Sequence, residues 1–150
     1  LIKRTKGGTK MSAVELAWFI VRRCANRGFP ISNLQLQKML YFLQRAYLQE
    51  RGVPLFQEKI VAWQFGPVVR EVYYTFSTYS SLRIVPTEYD PNPDFFLENF
   101  LLNEIDARSE QKPWDLVDET HQKGRAWDRV FKDGIGNDRV ITLEMIKTYG

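Results

Sequence analysis

Apolar residues recur at three- and four-residue steps in the segment MSAVELAWFIVRRCANR, residues 11–27, where Val14, Ala17, Trp18, Val21 and Ala25 share a side and Arg22, Arg23 and Arg27 take others. That period predicts a helix with one face in a core, stopped at Gly28. The clearest start signal follows it. Ser32 stands three residues before Gln35, so each side chain can bond the other's backbone amide in a capping box, and Ile31 can staple onto Leu36. Leu36, Met39, Leu40, Leu43, Ala46 and Tyr47 then make one apolar stripe as far as Gly52, which predicts a second helix. Lys38, Arg45, Glu50 and Arg51 fall on several sides of it and are expected to be solvated.

After VPLF the period changes to alternation. Val61, Trp63 and Phe65 point one way and Ile60, Ala62 and Gln64 the other, which predicts a short strand that buries Trp63 and Phe65 and ends at Gly66. Pro67 suits the first turn of a third helix carrying Val69, Val72, Tyr73 and Phe76. A second short apolar run, Leu82 to Val85, is expected to pair with the first strand. Phe96, Phe100, Leu101 and Ile105 line a fourth helix, and Pro113 opens a fifth in which Trp114, Val117 and His121 share a face as far as Gly124. KDGIGNDR is turn-rich, and Thr142 caps a short terminal helix. The fold class expected is mainly α (α+β): a compact domain of about six helices with a small two- to three-stranded antiparallel ribbon that must lie on the helices.

The 150 residues allow one domain, and a hydrophobic fraction of 44% with 14% aromatics marks a packed core. No apolar run approaches the roughly 20 residues that span a bilayer, and Glu15 with the Arg22–Arg23 pair interrupts the one stretch that could imitate a signal peptide. With a single cysteine no internal disulfide forms, and a cytoplasmic location is expected. The net charge of +3 changes meaning once it is divided. Lys3, Arg4, Lys6 and Lys10 leave 17 basic against 18 acidic side chains in residues 11–150. A nearly neutral body argues against a duplex-binding face, so nucleic acid is an unlikely partner. Residues 1–10 are expected to be an appended or unstructured extension ahead of a natural start at Met11, with a genuine basic arm as the alternative.

Chemistry has few candidates. Cys24, among Val21, Ala25 and Phe29, reads as a buried thiol, and a Cys–His pair with His121 would need both to meet in space. Asp118 and His121 share a helical face, but a carboxylate–histidine metal motif needs a second histidine-bearing helix. GIGNDR lacks the third glycine of a dinucleotide cradle. Tyr73, Tyr74, Phe76 and Tyr79 are accompanied only by Arg70 and Arg83, too few cations for a single-strand binder. No metal, cofactor or enzymatic activity is expected. His121 is expected to hold the Gly124 break by hydrogen bonding a backbone group.

The order of motifs is more specific than any one of them. LQLQKMLYFLQRAYLQERGVPLFQEKIVAWQFGPVVREVYYTF, then LVDETHQKGRAWDRVF and ITLEMIKTY, resembles the Panacea antitoxin domain, a phage-associated protein family, over roughly residues 13 to 149. The resemblance implies an antitoxin that neutralises a cognate protein toxin by direct contact. It leaves open an adaptor that delivers the toxin to an AAA+ protease and, further off, a DNA-binding autoregulator using the basic arm. By position, Leu36, Lys38, Tyr41 and Gln44 match the helix block. Ala62, Trp63, Gly66, Pro67 and Val68 match the strand–turn block, and Thr120, His121 and Trp127 the third. These are expected to be mainly structural, and Arg45, Gln49, Arg70 and Tyr74 are the residues expected to touch a partner. A hydrolase or transferase built on His121 is the competing class.

Overall fold

A computed structural model describes residues 11–150; the expectation for residues 1–10 lies outside the described residues. Helix α1 (Ala13–Asn26) starts at a capping box, with the Ser12 hydroxyl accepting from the Glu15 amide and the Glu15 carboxylate from the Ser12 amide. Its buried face is Leu16, Ala17, Ile20, Val21 and Cys24, rotated from the predicted stripe, and Val14, Trp18 and Ala25 are only half-buried. Three helices pack on α1, which widens the buried arc beyond what one stripe describes.

Helix α2 (Asn33–Arg51) begins at the predicted Ser32–Gln35 box and ends at Gly52, whose φ of +74° is the left-handed closure that glycine adopts freely. It is the axis of the molecule. Around it pack α1, α3 (Arg70–Thr75), α4 (Phe95–Arg108), α5 (Pro113–Thr120), α7 (Leu143–Tyr149) and a strand, so apolar and polar positions alike are enclosed. The expectation that Lys38 is solvated is therefore overturned: a helix surrounded on most sides leaves no free face there, and Lys38 is 0% exposed. Glu50 and Arg51, in the last turn, are exposed.

The sheet corrects the sequence reading in three places. β1 (Ile60–Trp63) pairs antiparallel with β2 (Gly66–Val68), Ala62 opposite Pro67 and Trp63 opposite Gly66, across the two-residue turn Gln64–Phe65. Pro67 thus belongs to an edge strand rather than to a helix, a position where its missing N–H breaks no ladder bond. Phe65, at the turn, is exposed. The third strand is β3 (Val140–Ile141), directly after the turn-rich stretch KDGIGNDR and assigned to no element by the sequence reading, and the order is β2-β1-β3. Residues 82–85 contribute only a bridge between Arg83 and Ser32, with Leu82 and Val85 exposed and Ile84 buried.

Helix α3 (Arg70–Thr75) follows β2 directly and passes into a 3-10 turn, Ser77–Tyr79. On α4 the buried residues are Leu97, Phe100, Leu101 and Ile105; Phe96 points outward, because the buried positions step by three and four from Leu97. The predicted fifth segment is two helices, α5 and α6 (Ala126–Phe131), separated at Gly124. Thr142 caps α7 as expected, accepting from the Met145 amide.

Candidate functional site

The edge of the sheet is completed by side chains of α2. Gln37 Oε1 accepts from the Val69 amide at 2.8 Å, and Lys38 Nζ donates to the Pro67 carbonyl at 3.1 Å. Two backbone groups on the outer side of β2 are thereby satisfied without another strand. Gln37 passes the bonding on, Nε2 donating to Asn33 Oδ1, and Asn33 Nδ2 donates to the Tyr73 carbonyl, which ties α3 to the start of α2. Two turns beyond Gln37, Gln44 Nε2 donates to the Phe56 carbonyl while its Oε1 accepts from the Leu55 amide, pinning the chain between α2 and β1.

Gly66 is the closest point of this junction. A Cβ there would lie 2.8 Å from Lys38 Cε and 2.9 Å from Thr120 Oγ1, and φ is +113°. Thr120 turns its hydroxyl back to the Val117 carbonyl at 2.7 Å, which presents a compact surface to the glycine. Beside it His121 lies flat on Trp127, ring centroids 3.8 Å apart at 3°, and Trp127 stacks in turn on Phe131. The Trp127 indole donates to the Trp63 carbonyl at 2.8 Å, joining α6 to the end of β1.

The three motif blocks therefore meet under the hairpin: Lys38 from α2, Trp63, Gly66 and Pro67 from the strands, Thr120, His121 and Trp127 from α5 and α6. Leu36, Tyr41, Gln44, Ala62 and Val68 are buried around the same junction or along α2. The expected backbone bond of His121 is not formed. Its Nε2 is buried without a partner, and the Gly124 break is held instead by Asp128, which accepts from the Gly124 amide, and by Arg129, which donates to its carbonyl. Replacing Trp127 by Phe keeps the stack but leaves the Trp63 carbonyl without its donor; a loss of about 1–2 kcal/mol is expected, read as a lower urea midpoint at unchanged m.

Electrostatics follow burial. The Lys38 amine, wholly enclosed and with no acidic partner, is lowered to about 7 by desolvation alone. His121 is pushed below its ordinary value, first by burial and then by the nearby Lys38 charge, so its ring is neutral in the stack. Burial pushes the Cys24 thiol up to about 12, which keeps it protonated and unreactive.

Outside the junction the hairpin tip carries an aromatic face. Trp114 is 57% exposed and Phe65 50%, their rings edge to face at 5.7 Å. Trp63 packs against Tyr73 and Tyr74, and Tyr74 is 62% exposed. The Trp63 indole donates to Asp138 Oδ1, which also accepts from Arg70 Nε, and these bonds hold the Asp138 carboxyl below its usual range. Of the four residues expected to touch a partner, Arg70 and Tyr74 share a cleft with Trp63. Gln49 is exposed on α2, whereas Arg45 leans over Phe42 beside the Arg108–Glu119 pair and lines a separate polar cleft.

Sequence reasoning missed Phe65, Trp114 and Asp138 as surface-forming residues. A signal existed for Trp114, placed beside a helix-opening proline where a first turn faces outward. None existed for Asp138, 75 residues from the indole it receives.

These features define a mainly helical domain closed by a small antiparallel sheet, with its motif residues gathered beneath one hairpin. The profile of the family described as "Antitoxin SocA-like, Panacea domain" matches residues 36–128, and the chain belongs to that family. Similarity to a curated protein runs in the same direction: Antitoxin SocA of Caulobacter vibrioides (strain NA1000 / CB15N) is 40% identical over 73 residues. That stretch is 49% of this chain and 39% of the relative, so the match spans well under half the relative's length. No solved structure matches the chain.

Proposed function

We propose that this chain is an antitoxin that neutralises a cognate protein toxin by direct contact and performs no catalytic step of its own. Membership of an antitoxin family supplies the role, and one observation of the structure carries the mode: the aromatic face of Phe65, Trp114 and Tyr74 around Trp63. Aromatic residues left exposed together on a rigid support are the usual anchors of protein interfaces, where they supply large contact area at low entropic cost. The support is rigid here because Gly66, Lys38, Thr120 and Trp127 hold the hairpin from below. The enclosed Cys24 thiol and the neutral His121 ring, stacked on Trp127, favour a binding role over a nucleophilic one.

Co-expression with each neighbouring gene tests the reading. One neighbour is expected to be toxic alone and harmless with this chain, and the two proteins to co-purify. In that strain Trp114→Ala and Phe65→Ala are expected to lose neutralisation while shifting Tm by no more than about 2 °C, as exposed substitutions do. Neutralisation that survives the double variant would move the contact away from this face. Toxin half-life in the same strain separates a blocker, which leaves turnover unchanged, from an adaptor that hands the toxin to a protease.

A further inference from the structure

A groove of about 500 Å³ opens between the start of α2, the hairpin tip and the start of α5. Its apolar walls are Leu34, Trp63, Phe65, Tyr73 and Trp114, no acidic residue among the described residues lines it, and Lys38 lines it too. Among the described residues Lys38 is the buried charged side chain, and it has no ion-pair partner. Its Nζ donates to the Pro67 carbonyl and joins no ion pair among the described residues, although an ammonium carries three donors. A single positive charge behind apolar walls makes an electrostatic minimum for an anion, and the low dielectric around it extends its field into the groove.

We propose that the groove takes a bulky apolar side chain from an extended segment of the protein partner, with a carboxylate of that segment drawn to the buried Lys38 charge. Walls and charge are complementary to that pair and to neither half alone: an acidic group without an apolar neighbour would leave the aromatic walls wet, and a cationic segment would meet repulsion. The identity of the partner rests on the antitoxin reading; the chemistry of the groove does not.

Two small probes, 3-phenylpropionate and 3-phenylpropionamide, differ only in the charge. Each is titrated into the full chain at pH 6, where the buried amine carries its charge, while the indole N–H signals of the four tryptophans are followed by NMR. Both are expected to shift Trp63 and Trp114, the acid binding about tenfold more tightly, a difference on the scale of one charge-assisted contact. Lys38→Met is expected to abolish the preference and keep the amide's affinity. Equal affinities, a preference that survives in Lys38→Met, shifts confined to Trp18 and Trp127, or no shift from either probe at millimolar concentration would each overturn the proposal. The comparison of acid with amide is made on the natural sequence, so it decides even if the variant does not fold. Should co-expression reveal no toxin while the acid preference stands, the antitoxin reading fails and the groove assignment survives.

Discussion

Gly66→Val is expected to leave the domain largely unfolded. The backbone at this position has φ +113°, which a β-branched residue adopts only under strain of about 1–3 kcal/mol. The new Cβ would also collide with Lys38 Cε and Thr120 Oγ1, and neither retreats freely: Lys38 is buried and anchored at its amine, and Thr120 is held by its bond to Val117. Overpacking of this kind costs about 1–3 kcal/mol more, and pushing the lysine aside also sacrifices its bond to Pro67. The sum, roughly 2–6 kcal/mol before that lost bond is counted, is at its upper end a large part of the 5–15 kcal/mol that holds an ordinary domain together. Thermal unfolding followed by circular dichroism reads the outcome. A Gly66→Val protein that is folded, with a near-natural Tm, and has merely lost its partner would make the hairpin corner a contact site instead of a support.

Lys38→Met is expected to act in the opposite sense, stabilising the fold by a few kcal/mol at neutral pH. Methionine nearly preserves the shape of the lysine stem while removing an amine that is costly to enclose. The sign follows from the proton balance. In the unfolded chain the amine titrates near its ordinary 10.5, and in the fold at about 7, so between these values the unfolded chain binds more protons and stability rises with pH. Below about 7 the amine is charged in both states and its full cost is present. Above 9 the trend is opposed by Cys24 and Tyr41, which burial keeps protonated to about 12 while their unfolded counterparts ionise. The measurable signature is therefore a rise in the natural protein's urea midpoint from pH 7 to 9 that Lys38→Met lacks. A variant less stable than the natural chain at pH 7 would mean that the bond to Pro67 outweighs the burial of the amine. A variant that is more stable but no longer neutralises a toxin would show a charge retained for binding at the expense of stability, the pattern expected of a functional site.

Much of the local structure could be read directly because its causes are local. Ser32 and Gln35, Thr142 and Gly52 act within four residues of themselves, and each cap or terminator appears where its chemistry predicts. Alternation in IVAW likewise identified β1. The failures share a cause. Pro67 was compatible with both a helix start and an edge strand, and the choice was made by Gln37 and Lys38, thirty residues away, which complete the outer hydrogen bonds of β2. β3 has only two residues, too few for a period, and exists because β1 lies alongside. Phe96, read on the buried side of its helix, and Trp114, read on one face with Val117 and His121, lie on exposed parts of helices whose other positions fill the core.

The motif blocks showed the same division. Their order along the chain was enough to indicate the family, since LQKMLYFLQ, AWQFGPVV and ETHQKGRAW form a combination that composition alone would not produce. Their meeting point was not legible, because a lysine on an amphipathic helix is ordinarily solvated and only the packing of five other helices and a strand around α2 made this one a buried charge. The stacking of His121 on Trp127 similarly depended on the path of the chain around Gly124, not on the spacing of the two residues.

By itself, then, the sequence determined most of the helices, the caps at Ser32 and Thr142, the first strand and the family, all properties that depend on residues close along the chain or on an order of motifs. The tertiary structure alone decided that α2 is central, that Lys38 is buried beside Gly66, and that the hairpin presents Phe65 and Trp114 outward. The physical reason is that burial, and with it charge and exposure, is set by what packs against a residue, and those neighbours come from parts of the chain that no local pattern connects.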